Sequence, residues 1–292
     1  MKIRFGAGLG RGADPTSFAT AVEHLERADV DSLWLSEVVY SPNVDPLVGM
    51  AYALARTTNL KVGTGVAILP GRHPVLVAKQ LASLAALAPR RVLPVFGLSP
   101  AQDLERDLFK VPGGRGAVFD DSMRLLRRAL TEPEVTYQSE YFQVRSATIQ
   151  PLPPRPLDLW LGGSSRAGLR RVGRFGDGWL GSFLSPAEAA RAKAAIETAA
   201  ANAGREIEAD HYGISLTVAE DGIPPELARA ARTRRPDVDP ASLLAGSWDH
   251  LHRLLDGYLE AGLTKFVVRP AGQIPFEAFV ERFAKELHPL EN

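Results

Sequence analysis

Short apolar runs alternate with longer helical patterns along nearly the whole chain, and this alternation limits the folds open to it. Eight runs are rich in Val, Ile, Leu or aromatic residues and are short enough to be strands. They are Lys2–Gly6, Ser32–Ser36, Lys61–Leu69, Arg91–Gly97, Leu157–Leu161, Gly178–Ser182, Tyr212–Val218 and Lys265–Arg269. Because they show little polar alternation, we expect parallel strands that are covered on both faces, hence an α/β fold.

The segments between these runs carry helix start and stop signals. Asp14-Pro15 and Ser185-Pro186 each place a capping residue before a proline at the first helical position, and Gly204 can end the second of these helices. Eight strand–helix units in 292 residues fit a closed TIM-like (β/α)8 barrel, whose usual size is about 250 residues plus insertions.

Two stretches are predicted to be insertions in this barrel. Residues 99–156 contain one helix around Gly116–Thr131, a hairpin-like polar piece and a proline-rich end, and residues 220–247 are rich in charge and proline. Strand–helix units continue on both sides of each stretch. We therefore expect a single domain over residues 1–292.

Composition excludes several classes of function. The 34 basic residues balance 34 acidic ones, which excludes a generally basic nucleic-acid binder, and the lack of cysteine excludes disulfides, thiolate zinc sites and iron–sulfur clusters. No apolar run is long enough to span a membrane, and the first residues lack the pattern of a secretory signal. We expect a cytoplasmic protein that binds neither nucleic acid nor a membrane.

The segment Leu157–Ser182 is the most informative for function. A buried strand leads into Gly162-Gly163, then into Ser164-Ser165 and Arg166 at the start of a helix. Free N–H groups and the positive end of the helix dipole make such a position an anion site, and an arginine beside it can pair with the anion. A tight strand–helix connection with no ligand is the alternative interpretation.

The same segment resembles the flavin and deazaflavin oxidoreductases of the luciferase-like monooxygenase family. Residues 61–92 resemble the third strand and helix of that family, residues 134–163 its approach to the phosphate loop, and residues 243–268 its last barrel unit. The resemblance is colinear over most of the chain. It implies a TIM-like barrel with the cofactor in the mouth at the C-terminal ends of the strands.

The resemblance also implies roles for particular residues. Gly162, Gly163, Ser164, Ser165 and Arg166 would hold the cofactor phosphate. Gly65 and Val66 would form a non-proline cis peptide behind the cofactor ring. The loop Leu9–Gly12, which includes Gly10, would line the substrate side together with Glu37, Tyr40 and Ser99.

The sequence departs from the family where many relatives place a catalytic histidine. The second strand is followed by Ser36-Glu37-Val38-Val39, with no histidine, and Pro100 stands near the position of a catalytic glutamate of the sugar-phosphate dehydrogenases. These absences argue against that dehydrogenase activity. Glu37 could contact the cofactor ring or act as an acid, or it could simply pair with an arginine.

No histidine in the sequence suggests a metal site, so we predict no metal. His250 and His252 lie two residues apart on a predicted helix and therefore face different ways. His73 follows the third strand at the mouth, but a role in starting the next helix is the favoured explanation.

The predicted function is hydride transfer between C5 of coenzyme F420 and a small organic substrate. The preference for F420 rests on likeness to deazaflavin-using members and on 27 arginines against 7 lysines, a bias of GC-rich genomes in which this coenzyme occurs. The alternatives are an FMN-dependent monooxygenase supplied by a cofactor reductase and a non-catalytic F420- or flavin-binding protein. A homodimer is expected from relatives.

A Rossmann dehydrogenase is a further alternative. Gly8-Leu9-Gly10-Arg11-Gly12-Ala13 fits G-x-G-x-x-A after a strand. That fingerprint requires the helix to begin within the motif, whereas Asp14-Pro15 places the helix start after it. The eight strands and the second phosphate loop also favour the barrel.

Overall fold

The computed structural model describes residues 2–9, 15–272 and 274–292. Gly10 and the predicted cap Asp14 lie outside these residues. Each of the eight predicted runs holds all or part of a strand. The strands are β1 (Arg4–Gly8), β2 (Ser32–Leu35), β3 (Lys61–Thr64), β4 (Ala67–Ile68), β5 (Val92–Leu93), β6 (Val95–Gly97), β7 (Val135–Gln138), β8 (Gln143–Ala147), β9 (Trp160–Gly162), β10 (Gly178–Ser182), β11 (Tyr212–Val218) and β12 (Lys265–Pro270).

Helices separate most of these strands. They are α1 (Pro15–Arg27), α2 (Pro46–Arg56), α3 (Pro74–Leu87), α4 (Arg115–Thr131), α5 (Arg166–Phe175), α6 (Pro186–Asn202), α7 (Pro225–Arg234), α8 (Trp248–Glu260) and α9 (Phe276–Leu287). Short 3₁₀-helices cover Asp103–Phe109, Pro240–Ser242 and His288–Leu290.

Ten strands form one parallel sheet that returns on itself. β1 pairs with β2 and with β12, and the pairing continues from β12 through β11, β10 and β9 to β6. On the other side, β2 pairs with β3, β3 with β5 and β4 with β6. Because β3 and β4 are successive halves of the third barrel strand and β5 and β6 of the fourth, these pairings close a TIM-like barrel, as predicted.

The third and fourth barrel strands are each interrupted once. The peptide bond between Gly65 and Val66 is cis and separates β3 from β4, whereas Pro94 separates β5 from β6. The buried Thr64 hydroxyl spans the gap, since it donates to Val95 O at 2.7 Å and accepts from Val95 N at 2.8 Å. A side chain thus satisfies backbone groups that a regular ladder would pair.

Side-chain caps set the starts of several helices. Ser185 and Glu188 form a capping box on α6, and the Ser247 hydroxyl accepts from His250 N on α8. Asp45 caps α2 by accepting from two backbone N–H groups, a start signal that the sequence analysis missed. Gly204 has a positive φ of 66° just after α6, which confirms the predicted stop.

The two predicted insertions differ in character. Helix α4 lies within residues 99–156 but packs between α3 and α5, so it is the fourth helix of the barrel and the true insertions here are shorter. They comprise the 3₁₀-helix Asp103–Phe109 and the antiparallel hairpin of β7 and β8. Residues 220–247 add the extra helix α7, which has a small apolar cluster of its own.

The barrel has two separate apolar regions. Outward side chains such as Phe5, Leu33 and Ile214 pack beneath the helices in the main core. The inward cluster is much smaller, with Trp34, Val95, Leu180 and Val267 fully packed. Within the described residues, none of the helices is both long and apolar enough to cross a membrane.

Candidate cofactor site

The cis peptide Gly65-Val66 lies at the C-terminal end of β3 and is held from both sides. The Gly65 carbonyl accepts from the Ser36 hydroxyl at 3.0 Å and from Arg269 Nη2 at 3.1 Å. Backbone bonds tie the same turn to β2, since Gly65 N donates to Leu35 O at 2.7 Å. The non-proline cis bond that the resemblance implies is present.

The Val66 side chain connects this turn to the phosphate loop. A Cβ added at Gly97 would lie 2.5 Å from Val66 Cγ2, and one added at Gly162 would lie 2.9 Å from Val66 Cγ1. Real side chains do not approach so closely, so these two positions must be glycine for Val66 to lie there. Gly162, predicted as a point of close approach to a ligand, is thus needed for packing as well.

Arg269 crosses the top of the barrel interior from the end of β12. Its stem lies so close over β1 that a Cβ at Gly8 would meet Arg269 Cγ at 2.4 Å. Arg269 Nε is buried and has no hydrogen-bond partner among the described residues. Burial lowers the pKa of its guanidinium to about 10, which still leaves it charged at neutral pH. The sequence analysis noted the strand end but missed this charge.

The N-terminus of α5 has the geometry of an anion site. Gly163 has a φ of 111°, a backbone conformation that favours glycine, and its Cβ position faces open space. Ser165 caps the helix, since its hydroxyl accepts from Gly168 N at 3.1 Å. The side chains of Ser164, Ser165 and Arg166 are exposed. Since the first N–H groups of a helix have no intrahelical acceptor, they are available to an anion.

The loop before α5 is supported from beneath. Trp179 Nε1 donates to Gly163 O at 2.8 Å. At the other end of α5, the carboxylate of Asp177 accepts from Arg127, Arg205 and Leu159 N at 2.8 to 2.9 Å. The segments at both ends of the helix are therefore tied to neighbouring elements, which holds its N-terminus in place.

Glu37 is buried beside the cis peptide, but its carboxylate is engaged. It accepts from Ile68 N at 2.6 Å and forms a two-point ion pair with the Arg72 guanidinium. This is the arginine pairing weighed as the alternative to an acid role. The contacts favour a positioning role, in which Glu37 fixes the segment after the cis peptide; its role as an acid stays a prediction.

The residues predicted to line the substrate side are spread around the mouth. Tyr40 is exposed, and its backbone N–H donates at 2.8 Å to Glu105. Leu9 packs at the edge of the main core, and Ser99 is half-buried after β6. Glu105, a residue that the sequence analysis missed, is fully buried, with one carboxylate oxygen unpartnered among the described residues.

His73 and His252 have structural roles. His73 Nδ1 accepts from Val75 N at 3.3 Å and so caps α3, as the alternative interpretation held. His252 pairs with Glu286 at 2.9 Å on helices α8 and α9. The ligand atoms of Glu208, Asp210 and His211 lie within 4.8 Å of one another at the opposite end of the barrel, but Asp210 pairs with Lys265.

The sequence profile of the luciferase-like monooxygenases matches residues 1–235. The chain belongs to that family. Among curated relatives, an F420-dependent glucose-6-phosphate dehydrogenase of Beutenbergia cavernae is 27% identical over 90% of each chain. An uncharacterised protein of Mycobacterium tuberculosis is 33% identical over 60% of this chain, and the match spans 60% of that relative's length.

Solved structures with the same fold contain both kinds of cofactor. An F420-dependent secondary alcohol dehydrogenase with an F420–acetone adduct superposes with a TM-score of 0.86 over the whole of both chains, at 16% identity. The FMN-bound oxygenating component of a Pseudomonas putida diketocamphane monooxygenase gives 0.75 at 16% identity, over 100% of this chain and 99% of the other. These similarities establish the fold alone.

Proposed function

We propose that this protein is an F420-dependent oxidoreductase that transfers a hydride between the coenzyme and a small organic substrate. The main support for the proposal is the contact between the cis turn and the loop before α5, two features that the sequence analysis treated separately. Val66, in the cis turn, packs against Gly162, the first residue of the loop that leads into α5. A single bound ligand would therefore place its ring against Val66 and its phosphate at the N-terminus of α5.

The donor groups at the mouth fit the coenzyme. Gly163 leaves the backbone open where a phosphate approaches, and Arg166 adds a charge that can engage it bidentately. Arg269, whose buried Nε has no hydrogen-bond partner among the described residues, places a cation beside the cis turn, where it would stabilise negative charge on a bound ring. When bound, the coenzyme supplies a carbon that accepts or donates hydride, and the protein supplies orientation and exclusion of water.

FMN is the second candidate cofactor, because the FMN-bound neighbour shares the fold and the anion site does not select between ring systems. With reduced FMN, oxygen-dependent monooxygenation would be the reaction, and a partner reductase would supply the flavin. A binding protein without turnover is the third possibility, since Glu37 is engaged with Arg72 and no histidine follows the second strand. A cytoplasmic homodimer completes the proposal.

Parallel titration of the purified protein with oxidised F420 and with FMN tests this proposal, with quenching of tryptophan fluorescence as the readout. We expect saturable binding of F420 with a lower Kd than for FMN. Anaerobic assays with a panel of alcohols, aldehydes and enones would then show oxidation or reduction of the coenzyme.

Tighter binding of FMN would redirect the substrate search to oxygen-dependent chemistry. F420 binding without turnover over a broad panel would favour the binding-protein alternative. Binding of neither cofactor by folded protein would contradict the proposal.

A further inference from the structure

The end of the barrel opposite the cofactor site contains a cavity of about 590 Å³. It lies among the N-terminal ends of the strands and reaches inward to the underside of Trp34, Leu180 and Val267. Ligand pockets commonly have volumes of roughly 300–1,000 Å³. In most barrels of this kind, layers of bulky side chains fill this space.

Glycines at inward positions explain why the space is open. Gly6 alternates with the outward Phe5 and Ala7 on β1, and Gly178 lies inward on β10 beside Leu180. A Cβ at Gly6 would lie 2.3 Å from Trp34 Nε1, and one at Gly178 would lie 2.2 Å from the Trp160 ring. The two indoles occupy the space next to these glycines, and both line the cavity.

Two apolar side chains remain partly exposed inside this space. Trp160 and Leu93 are half-buried although both point into the barrel and pack against the inward cluster. Burial of apolar surface is favourable, at about 25 cal/mol per Å². A ligand with an aromatic or other apolar body would therefore gain free energy by covering them.

The rim of the cavity is cationic. Six lysine and arginine side chains line it against three aspartates. Lys61 forms an ion pair with Asp31, and Lys265 forms one with Asp210, so neither pair has a net charge. A further lining cation, Arg4, also lies near Asp31, with Nε 3.5 Å from Oδ1. The other three, at positions 2, 90 and 155, have no ion pair with the described residues, and the third aspartate, at position 158, has none either. The unpaired charge is therefore positive on balance.

We propose that this cavity is a second ligand site, for a small aromatic molecule that carries an anionic group. The apolar body would lie against Trp160 and Leu93, and the anionic group would meet the rim near Arg90 and Arg155. This proposal does not rest on the proposed function, since Trp34, which lies between Gly6 and Gly63, separates the cavity from the cis turn.

Two fluorescent probes of matched shape test the proposal: 8-anilinonaphthalene-1-sulfonate, which is anionic, and N-phenyl-1-naphthylamine, which is neutral. We expect one anionic probe to bind per chain, more tightly than the neutral probe. In the variant Arg90→Glu/Arg155→Glu, the Kd of the anionic probe should rise roughly tenfold at low salt, because attraction at the rim becomes repulsion. The neutral probe should bind as before.

Matched controls separate the cavity from the rest of the surface. Leu93→Trp should fill the cavity and abolish binding of both probes, whereas Leu87→Trp, on the exposed face of α3, should change neither. Arg170→Glu/Arg229→Glu reverses two exposed charges away from the cavity and should leave the anionic probe unaffected. Circular dichroism and thermal unfolding verify that each variant is folded.

Several results would overturn the proposal. The first is failure of the anionic probe to bind, and the second is equal binding to the folded Leu93→Trp variant. The third is displacement of the probe by saturating F420 or FMN, which would locate it at the other mouth. If both probes bind with equal affinity, and Arg90→Glu/Arg155→Glu leaves both affinities unchanged, the proposal that the ligand is anionic would be contradicted. If Leu93→Trp does not fold, the charge-reversal variant alone decides.

Discussion

The two mouths of the barrel use glycine for different purposes. At the C-terminal mouth, Gly163 keeps backbone N–H groups accessible, and Gly162 makes room for a valine side chain. At the N-terminal mouth, Gly6 and Gly178 make room for indole rings and leave a cavity between them. One end thus presents backbone donors to an anion, whereas the other presents apolar side chains within a charged rim.

This difference shows why cavity volume alone is a poor guide to the cofactor site in this fold. The cavity of about 590 Å³ lies at the end where barrel residues usually serve stability. The proposed cofactor site is instead defined by a helix N-terminus, a positive φ and a guanidinium whose Nε has no hydrogen-bond partner in the described part of the chain. Chemistry, rather than size, distinguishes the two ends.

The largest expected effect comes from reversing the charge at the C-terminal mouth. Arg166→Glu places a carboxylate at the α5 N-terminus, so we expect the Kd for F420 to rise by about tenfold to a hundredfold, the range of a hydrogen bond to a charged group. Fluorescence titration measures it. Arg170→Glu, on the exposed face of the same helix, is the control and should have a small effect. An unchanged Kd in Arg166→Glu would defeat the assignment of the phosphate loop.

A pair of glycine variants sharpens the comparison between the mouths. Gly178→Ala should lower the free energy of unfolding by about 1–3 kcal/mol, because its Cβ overlaps the Trp160 ring. Gly163→Ala should cost about 1–2 kcal/mol, since its φ of 111° is unfavourable for alanine. Urea denaturation measures both.

Adding Trp160→Leu to each glycine variant separates the two causes, side-chain overlap and backbone conformation. It should relieve much of the cost of Gly178→Ala, where a side chain is in the way. It should relieve none of the loss of stability in Gly163→Ala, because that loss comes from the backbone conformation. Equal rescue of both variants would show that the two glycines do not differ as described.

Removing the charge of Glu37 tests its positioning role. Glu37→Gln should destabilise the protein by about 1–3 kcal/mol, because it leaves the Arg72 guanidinium with a weaker acceptor in a largely buried setting. The matched control Glu23→Gln breaks an exposed pair with Arg56 and should change the free energy of unfolding much less, because exposed ion pairs contribute little. If Glu37 acts as an acid instead, turnover in folded Glu37→Gln would be lost with little change in cofactor Kd.

The smallest expected effect is a pH dependence at the N-terminal mouth. Burial lowers the pKa of Lys265 below its usual 10.5, although the hydrogen bond to Asp210 opposes that shift. The unfolded chain therefore binds more protons between the two pKa values, so the free energy of unfolding contributed by Lys265 should rise as the pH rises through this window. Lys265→Met should remove that rise, which denaturation at several pH values would reveal, whereas the exposed Lys110→Met should preserve it.

The fold could be predicted from the sequence because strand and helix signals are local. Val-, Ile- and Leu-rich runs mark the eight barrel strands, and Ser185-Pro186 marks a helix start that the structure confirms. The role of α4 was misjudged, because its packing between α3 and α5 depends on the closed ring rather than on its own sequence.

The site was less predictable because it depends on contacts across the barrel. The resemblance drew attention to Gly162 and Gly65, but the reason for glycine at position 162 lies in Val66, 96 positions earlier in the chain. The buried Nε of Arg269, which lacks a partner within the described ranges, becomes apparent only when β12 closes against β1. Gly6, at an inward position of β1, was a visible signal for the cavity, but the sequence analysis placed it only at the end of a predicted strand.

Hydrogen–deuterium exchange with and without F420 tests the central claim, that the cofactor binds at the C-terminal mouth. We predict that saturating F420 slows exchange of the backbone amides at residues 163–168 and 65–68, and that exchange at residues 89–93 and 155–160 is unchanged. Protection of the second set of amides without the first would place the coenzyme at the N-terminal mouth and contradict the account.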